Sequence, residues 1–498
     1  MGLQLGVASS GWGVEGAGDE GWILSAETAR PRPATGSDPG GRGGELVPRR
    51  LAVMHHANSF FPLELRGRVG ECAELVWVVN SRDQPEEMLR FVRRLGPVVD
   101  TAGKDLDTLA EELDRLGVEG IVSFVDDHIV DAALLAERIG LRYHTPEVAR
   151  ALVNKQVQRA VLDAAGIAGP AFWSAPSGLD PAGAMAFADR VSYPAVVKPA
   201  EGSGSRDICL VRTAGELCSV LGAGSGPGYL VEQYLEDGRG HESWYASYLS
   251  VESVVSRGEV GHVALTGRFP LAEPFRETGN FIPAVCPAEQ VPGILSMVDK
   301  TISALGITDS VIHTEVKLTP DGPRLIEING RLGGRPPFVL CGISDTNLFQ
   351  VACRVALGEP VQVEGMAACD GVGFWLMLQA PMEARRLEAV DGTDAAAAVA
   401  GVTDVRVNRL PGVTLDWREG TDGKIVTIQG TAKNHAGLAA TIGRIRDAIT
   451  ITTDVGGSSE RTPTVKAQLA DRSDDVWVPP GDTTDDKALT SASRAGRS

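Results

Sequence analysis

Residues 311–335 constrain the fold of this chain more than any other stretch. Two short apolar runs lie on either side of residues 319–323, whose sequence Thr-Pro-Asp-Gly-Pro is typical of a turn. Charged and amide side chains recur at alternate positions of both runs, and a strand places alternate positions on one face. Such a face is costly to form unless something binds to it. The pattern therefore predicts an antiparallel hairpin with a binding site on one face.

The polar side chains of this hairpin are of the types that bind a hard cation. His313 and Glu315 share a face of the first predicted strand, and Glu327 and Asn329 share a face of the second. Antiparallel pairing brings Glu315 opposite either Glu327 or Asn329. Two carboxylates and an amide oxygen suit Mg²⁺, which also takes oxygen ligands from substrate phosphates. Arg331 follows on the same face, so the hairpin predicts a site for a metal ion that carries phosphates.

The composition is that of a globular protein and argues against several classes of function. Hydrophobic residues make up 43% of the 498-residue chain and charged residues 22%. The formal net charge is −18, so we expect no nucleic-acid-binding surface. No apolar run approaches the length of a membrane span, and we expect no membrane contact. The seven cysteines include no Cys-x-x-Cys pair, which favours the cytoplasm and argues against a zinc site or a disulfide framework.

Changes of pattern along the chain predict five segments. Strands and helices alternate in the second segment, as in a small parallel α/β domain. The first and last segments are polar or rich in Gly, Ser and Pro, and we expect them to lack a packed core. The predicted boundaries are 1–48 for a disordered leader, 49–145 for an N-terminal α/β domain, 146–370 for a larger domain, 371–452 for a small C-terminal α+β module and 453–498 for a flexible tail.

In the N-terminal α/β domain, three polar residues follow the predicted strand 120–125. Ligands of parallel sheets bind at the carboxyl ends of strands, so Asp126, Asp127 and His128 are candidates for the lining of a substrate cleft. The alternative is a solvated turn that precedes a helix.

A lysine and a glycine-rich loop follow in the next domain. Lys198 lies near the end of a buried apolar run, and Gly202-Ser203-Gly204-Ser205 forms the loop behind it. Glycines let the backbone approach a phosphate closely, and successive N–H groups can cradle it. The loop lacks the Gly-Lys-Ser/Thr of a Walker A motif, so a plain hairpin turn is the alternative.

Residues 229–235 predict a strand that continues into a linker. Backbone groups of such a linker can pair with the edge of an adenine ring, with Leu235 packing on the ring. Glu242 then lies where it can accept hydrogen bonds from ribose hydroxyls, although Glu236 and Asp237 compete for that role. The alternative is a surface hairpin with ordinary acidic residues.

Taken in chain order, these stretches resemble the ATP-grasp superfamily of carboxylate–amine ligases. The resemblance covers about residues 50–450 and depends on five features in the order and spacing of that family. They are Lys155, Val196-Val-Lys198-Pro with its loop, Val231-Glu-Gln-Tyr-Leu235, His313-Thr-Glu315, and Ile326-Glu327-Ile-Asn329-Gly-Arg331-Leu-Gly-Gly334. The last two motifs and the C-terminal extension look most like the L-amino-acid ligase branch, which forms dipeptides. The resemblance implies an α/β and α+β fold, with a parallel α/β pre-domain, an ATP-grasp domain of two subdomains at 146–370 and a small C-terminal α+β module.

The resemblance also implies a role for each matching residue, and Asn280 departs from the histidine expected at its position. That departure leaves the identity of the substrate open. For ATP, the roles implied are phosphate contact by Lys155 and by Lys198, which is also catalytic, cover of the phosphates by Gly202, Ser203, Gly204 and Ser205, adenine binding by Glu232, Gln233, Tyr234 and Leu235, and ribose binding by Glu242. For the metal, the role implied is coordination of Mg²⁺, or Mn²⁺ in its place, by Glu315, Glu327 and Asn329. For the substrate, the roles implied are binding by Glu277, Asn280 and Gly334, and carboxylate binding and catalysis by Arg331.

The activity implied is ATP-dependent coupling of an amino-acid or peptide carboxylate to an amine through an acyl phosphate. Phosphoryl transfer needs positioning and charge neutralisation more than a protein nucleophile, and this residue set supplies both. The expected partners are small amino-acid or peptide substrates, and a homodimer is left open. Two alternatives are another ATP-grasp carboxylate ligase or carboxylase of small-molecule metabolism, and a nucleotide-binding module without catalysis. The lack of a biotinyl-type Met-Lys-Met signal argues against the carboxylase, and the retained metal and arginine residues argue against the module.

Overall fold

The computed structural model describes residues 49–56, 59–223, 228–238, 244–455 and 462–463. The predicted leader at 1–48, Glu242 and most of the predicted tail at 453–498 lie outside these residues. Within them the strands form four sheets, and no helix is long and apolar enough to cross a membrane.

The N-terminal region forms a four-stranded parallel sheet, as its alternating pattern predicts. Its elements are β1 (Arg50–Met54), α1 (Pro62–Val69), β2 (Glu74–Val79), α2 (Glu86–Leu95), β3 (Val98–Asp100), α3 (Leu106–Arg115), β4 (Val118–Ser123) and α4 (Ile129–Ile139). The strand order is β3-β2-β1-β4. Alternate residues of β1 enter two different core clusters, so apolar side chains pack on both faces of the sheet. A short 3-10 turn, Asp126–His128, follows β4 at the carboxyl edge.

The next region forms a four-stranded antiparallel sheet covered by helices on one face. Its elements are α5 (Pro146–Val153), α6 (Lys155–Ala164), β5 (Phe172–Ala175), α7 (Pro181–Ala188), β6 (Ala195–Pro199), β7 (Cys209–Val211), α8 (Ala214–Ala223) and β8 (Tyr229–Gln233), with strand order β5-β8-β6-β7. Ala195 and Val197 of β6 enter the core with α7 and α8. Lys198, one position further, therefore projects from the opposite face.

The sequence pattern of residues 146–165 is that of one continuous helix, but the structure has two helices there, α5 and α6. Asn154 ends α5 and begins α6, because its side-chain oxygen accepts hydrogen bonds from the N–H groups of Gln156 and Val157. This N-cap places Lys155 in the first turn of α6.

The largest sheet has eight strands in the order β13-β12-β9-β10-β11-β14-β17-β16. Its strands are β9 (Tyr248–Ser256), β10 (Glu259–Arg268), β11 (Gly279–Ile282), β12 (Ser310–Thr319), β13 (Gly322–Asn329), β14 (Val372–Leu378), β16 (Val402–Val407) and β17 (Val426–Ala432). The hairpin predicted at 311–335 is β12 and β13. The strands after residue 371 extend this same sheet, since β14 pairs with β11.

The two faces of the eight-stranded sheet differ in polarity. One face packs on α9 (Val291–Leu305) and α13 (His435–Ala448), which bury aliphatic and aromatic side chains of the strands. The cross-strand partners Glu327, Glu315 and Ser250 lie on the other face, as do Arg268 and its partner Asn280. Apolar side chains of this second face, such as Val254, Val311 and Met377, pack in a separate core cluster, and the polar part of the face forms the floor of the site.

The remaining elements connect or complete these layers. They are α10 (Pro336–Cys341), α11 (Leu348–Ala356), β15 (Arg386–Asp391), α12 (Thr393–Ala397), β18 (Thr450–Asp454), β19 (Thr462–Pro463) and a 3-10 segment, Trp417–Gly423. Strands β15, β18 and β19 form the fourth sheet.

Candidate active site

The hairpin of β12 and β13 places two carboxylates opposite each other. Glu315 is the cross-strand partner of Glu327, and His313 is the partner of Asn329. The structure thus selects one of the two pairings that the sequence left open. The polar ends of all four side chains belong to the same sheet face, and all four line one cleft.

Glu315 is held in its ionised form by two neighbours. Arg268 Nη2 lies 3.2 Å and His313 Nε2 lies 3.4 Å from Glu315 Oε1. Burial would raise the pKa of Glu315, but His313 and Arg268 outweigh burial and lower the pKa to about 2. The side chain is therefore anionic at neutral pH, the form that a metal ligand must have.

A buried network beneath Glu315 fixes the positions of these neighbours. Glu252 Oε2 lies 2.9 Å from His313 Nδ1, and Arg268 Nη2 lies 2.9 Å from His313 Nε2. Arg268 Nη1 donates to Glu277 Oε1 at 2.9 Å. The network joins residues from three strands and a loop, which are distant in sequence and adjacent only in the folded sheet.

The carboxylate pair fits a magnesium ion that shares its ligands with phosphates. Among the described residues, no group of three or more His, Cys, Asp or Glu side chains is arranged to hold a metal ion by itself. Glu315, Glu327 and the amide of Asn329 offer a partial set of hard oxygen ligands. Protein sites for Mg²⁺ commonly use one or two carboxylates and let substrate phosphates complete the shell.

Lys198 projects from β6 into the cleft and is positioned by Glu232. Lys198 Nζ lies 2.6 Å from Glu232 Oε2, and Arg159 Nε donates to Glu232 Oε1 at 2.8 Å. Burial would raise the pKa of Glu232, but Lys198 and Arg159 hold that pKa below its usual range. The predicted adenine residue Glu232 thus has its carboxylate engaged by two cations, which leaves its backbone as the part available to a base.

The glycine-rich loop lies beside Lys155. The Lys155 Nζ donates a hydrogen bond to Gly202 O, and Arg206 Nε donates to Ser203 O at 3.2 Å. Gly204 adopts a φ of 66° and Ser205 a φ of 57°, so the loop turns through left-handed conformations. We call residues 202–206 the phosphate loop, after the role that the sequence predicts for them.

The linker after β8 forms another wall of the cleft. The N–H groups of Gln233 and Tyr234 donate to Ala171 O and Pro194 O, which fixes the course of the chain up to Leu235. Beyond it, Asp237 forms an ion pair with Lys317 of β12. Asp237 was one of the candidates for ribose binding, whereas no sequence pattern indicated Lys317.

Arg331 is anchored by the N-terminal domain. Its Nε donates to Asp126 Oδ1 at 2.9 Å, and its Nη2 donates to Asp126 Oδ2, so the ion pair is bidentate. Asp126 and Asp127 both line the cleft, as the position of the carboxyl edge suggested, whereas His128 is not among the lining residues. The N-terminal domain therefore contributes directly to the wall around Arg331.

Glu277 and Asn280 form a site for a hydrogen-bond donor. Burial raises the pKa of Glu277 above its ordinary value despite the nearby Arg268, and repulsion by Glu315 raises it further. Asn280 is 2% exposed, and its Oδ1 has no hydrogen-bond partner among the described residues. A cationic N–H group would satisfy that oxygen and compensate the carboxylate.

The predicted site residues line one cleft. Its volume of about 710 Å³ is within the usual range for a small-molecule site. It also holds Arg268, Lys317, Thr421 and Lys424, which the sequence analysis missed. Of these four residues, only Arg268 had a signal in the sequence, because it is a single arginine at the end of an apolar run. The predicted residues that line it are Lys155, Lys198, Gly202, Ser203, Gly204, Ser205, Glu232, Gln233, Tyr234, Leu235, Glu277, Asn280, Glu315, Glu327, Asn329, Arg331 and Gly334.

The fold is shared with solved structures of ligases. The L-amino acid ligase of Bacillus licheniformis superposes with a TM-score of 0.66 at 20% identity, over 82% of this chain and 99% of that one. The chain has the ATP-grasp fold. No protein-family model matches it.

Two sequence relatives extend the comparison. The uncharacterized protein y4rH of Sinorhizobium fredii is 30% identical over 64% of this chain and 65% of its own length. Mouse carnosine synthase 1 is 29% identical over 44% of this chain and 28% of its own length. The chain thus spans less than two thirds of the length of each of these relatives.

Proposed function

We propose that this protein is an ATP-dependent ligase that joins the carboxylate of an amino acid or peptide to an amine. The products are an amide, ADP and phosphate. The observation that carries the proposal is that the Glu315–Glu327 pair, Lys198 and Arg331 line the same cleft. The similarity to an L-amino acid ligase and to carnosine synthase 1 supports it.

In the first step, a carboxylate oxygen of the substrate attacks the γ-phosphorus of ATP, and ADP leaves. An acyl phosphate results, which turns a poor leaving group into a good one. Lys155 and Lys198 neutralise phosphate charge, and the phosphate loop keeps water out. Glu315, Glu327 and Asn329 would hold Mg²⁺, or Mn²⁺ in its place, and the bound ion would neutralise further phosphate charge.

In the second step, the amine attacks the carbonyl carbon. The amine loses a proton, and phosphate departs with the former carboxylate oxygen. Arg331 stabilises the negative charge that develops on the remaining oxygen. Asp126 and the carbonyl of Leu332 engage three of its five N–H groups, and two others are available to the substrate.

The ammonium group of an amino-acid substrate fits the acceptor site of Glu277 and Asn280. A positive charge there would lower the raised pKa of Glu277 and give Asn280 Oδ1 a donor. Gly334 lines the cleft beside Arg331 and leaves room for the substrate backbone. Gln233, Tyr234 and Leu235 would border the adenine of ATP on the other side.

The surroundings of the enzyme are part of the proposal. A ligase that consumes ATP belongs in the cytoplasm, and none of the seven cysteines, all within the described residues, forms a disulfide. A homodimer remains a prediction, for which light scattering on the purified protein is the measurement.

The test is a screen of amino-acid pairs with ATP and Mg²⁺, in which ADP and coupled products are measured by mass spectrometry. A ligase forms ADP only with its substrates and gives one amide for each ADP, and removal of Mg²⁺ by a chelator stops both. Bicarbonate-dependent ADP release would instead indicate a carboxylase. ATP binding without turnover across the screen would indicate a non-catalytic module and contradict the proposal.

A further inference from the structure

The 3-10 segment of the C-terminal region lies directly against the phosphate loop. Thr421 N–H donates to Gly204 O at 2.8 Å, and Asp207 N–H donates to Arg418 O at 3.2 Å. These two backbone hydrogen bonds connect stretches about 210 residues apart in the chain. We call residues 416–424 the latch segment.

Gly420 makes this contact possible. It is buried, and its φ of 64° is in the left-handed region, where a side chain is disfavoured. A Cβ atom at this position would overlap Gly204 O and would lie 2.7 Å from Arg206 N. The latch segment and the phosphate loop therefore pack backbone against backbone, with no room for a side chain between them.

The same segment also contacts the substrate side of the cleft. Thr421 Oγ1 accepts a hydrogen bond from Glu277 N–H at 3.3 Å. Gln379 Nε2 donates to Glu277 O at 3.0 Å and to Thr421 O at 3.3 Å. Thr421 thus bonds the phosphate loop through its N–H group and Glu277 through its hydroxyl.

We propose that the latch segment is a positioning element that holds the phosphate loop over the reacting groups and ties it to Glu277 through Thr421. The inference rests on the proposed ligase function. An acyl phosphate is hydrolysed if water reaches it, so a loop held in place favours transfer to the amine. The C-terminal region then contributes to coupling, in addition to completing the large sheet.

Hydrogen exchange tests the contact without reference to catalysis. We expect the amides of Asp207 and Thr421 to be protected in the full chain and to exchange faster in Gly420→Ala. Gly412→Ala is the matched control, because Gly412 also has a positive φ, of 94°, but no described atom lies within 4 Å of its Cβ position. If the amides of Asp207 and Thr421 exchange as slowly in Gly420→Ala as in Gly412→Ala, the proposal is overturned.

Product coupling tests the consequence. Gly420→Ala should release more phosphate than it forms amide, with amide formation slowed by up to about 100-fold, as expected for a misplaced active-site group. Gly412→Ala should keep one amide for each ATP. If Gly420→Ala does not fold, Thr421→Val and Thr421→Ser test the proposal in its place. The valine variant should raise KM for the amino acid and uncouple ATP hydrolysis, and the serine variant should restore both.

The two hypotheses fail in different ways. If the wild-type protein forms no ADP with any pair of substrates, the ligase function fails, and hydrogen exchange still decides whether the latch holds the loop. If the wild-type protein is a coupled ligase but Gly420→Ala and Thr421→Val couple equally well, the latch proposal fails alone.

Discussion

At the scale of single residues, Arg331 is the side chain on which the proposed second step most depends. Arg331→Ala should lower the rate by about 100-fold, roughly 3 kcal/mol of transition-state stabilisation, by analogy with loss of one oxyanion donor. Steady-state kinetics of amide formation measures the effect. Arg324→Ala is the control, because Arg324 lies on β13, the strand that precedes Arg331, but does not line the cleft. Near wild-type turnover of Arg331→Ala would rule out the role.

Glu277 gives the enzyme a predictable pH dependence. Its pKa is raised above the ordinary value of 4.5, because of burial and the charge of Glu315 despite the nearby Arg268, and only its anionic form binds an ammonium group well. Binding of the amino acid is therefore lost as pH falls through this raised pKa and is restored above it. The acidic limb of kcat/KM should lie above 4.5. Glu277→Gln should weaken binding and remove that limb, and an unchanged limb in this variant would assign it to another group.

The sequence allowed prediction of site residues that belong to short local motifs. Glu315, Glu327 and Asn329 were identifiable because strand periodicity puts them on one face next to a recognisable turn. Glu252 and Arg268 were not, because their importance comes from pairing among β9, β10 and β12, which no local pattern specifies. The ion pairs of Lys198 and Arg159 with the carboxylate of Glu232 were missed for the same reason.

At the scale of elements, the N-cap of α6 links helix stability to the nucleotide side of the cleft. Asn154 caps α6 and also donates to Glu201 Oε1 at 3.1 Å, whereas Asn347 caps α11 in the same way away from the cleft. Alanine at either position should cost about 1 kcal/mol of stability. Calorimetry should show similar losses, and kinetics should show a raised KM for ATP in Asn154→Ala alone. An equal KM for ATP in both variants would show that the N-cap of α6 does not position Lys155.

The elements themselves show where sequence patterns suffice. The β12–β13 hairpin was predictable because a turn and two periodic runs are adjacent in the chain. The division between α5 and α6 was missed because Asn154 sits in an otherwise helical pattern, where its capping role depends on side-chain geometry. The pairing of β14 with β11 was missed because the two strands are about 90 residues apart.

At the scale of the whole molecule, three regions contribute to one cleft. The N-terminal domain supplies Asp126, the smaller antiparallel sheet supplies Lys198, and the large sheet supplies the carboxylate floor. The predicted boundaries at 145 and 370 stay predictions, and the sheet that crosses residue 371 is continuous. A chain cut at either boundary would lose part of the site wall.

The central claim is that a carboxylate is activated as an acyl phosphate, and isotope transfer tests it most directly. A substrate amino acid whose carboxylate carries ¹⁸O is supplied with ATP, Mg²⁺ and the amine, and the released phosphate is examined by mass spectrometry. The account predicts that one ¹⁸O atom appears in the phosphate for each amide formed. Amide formation with unlabelled phosphate, or with label in AMP, would contradict it.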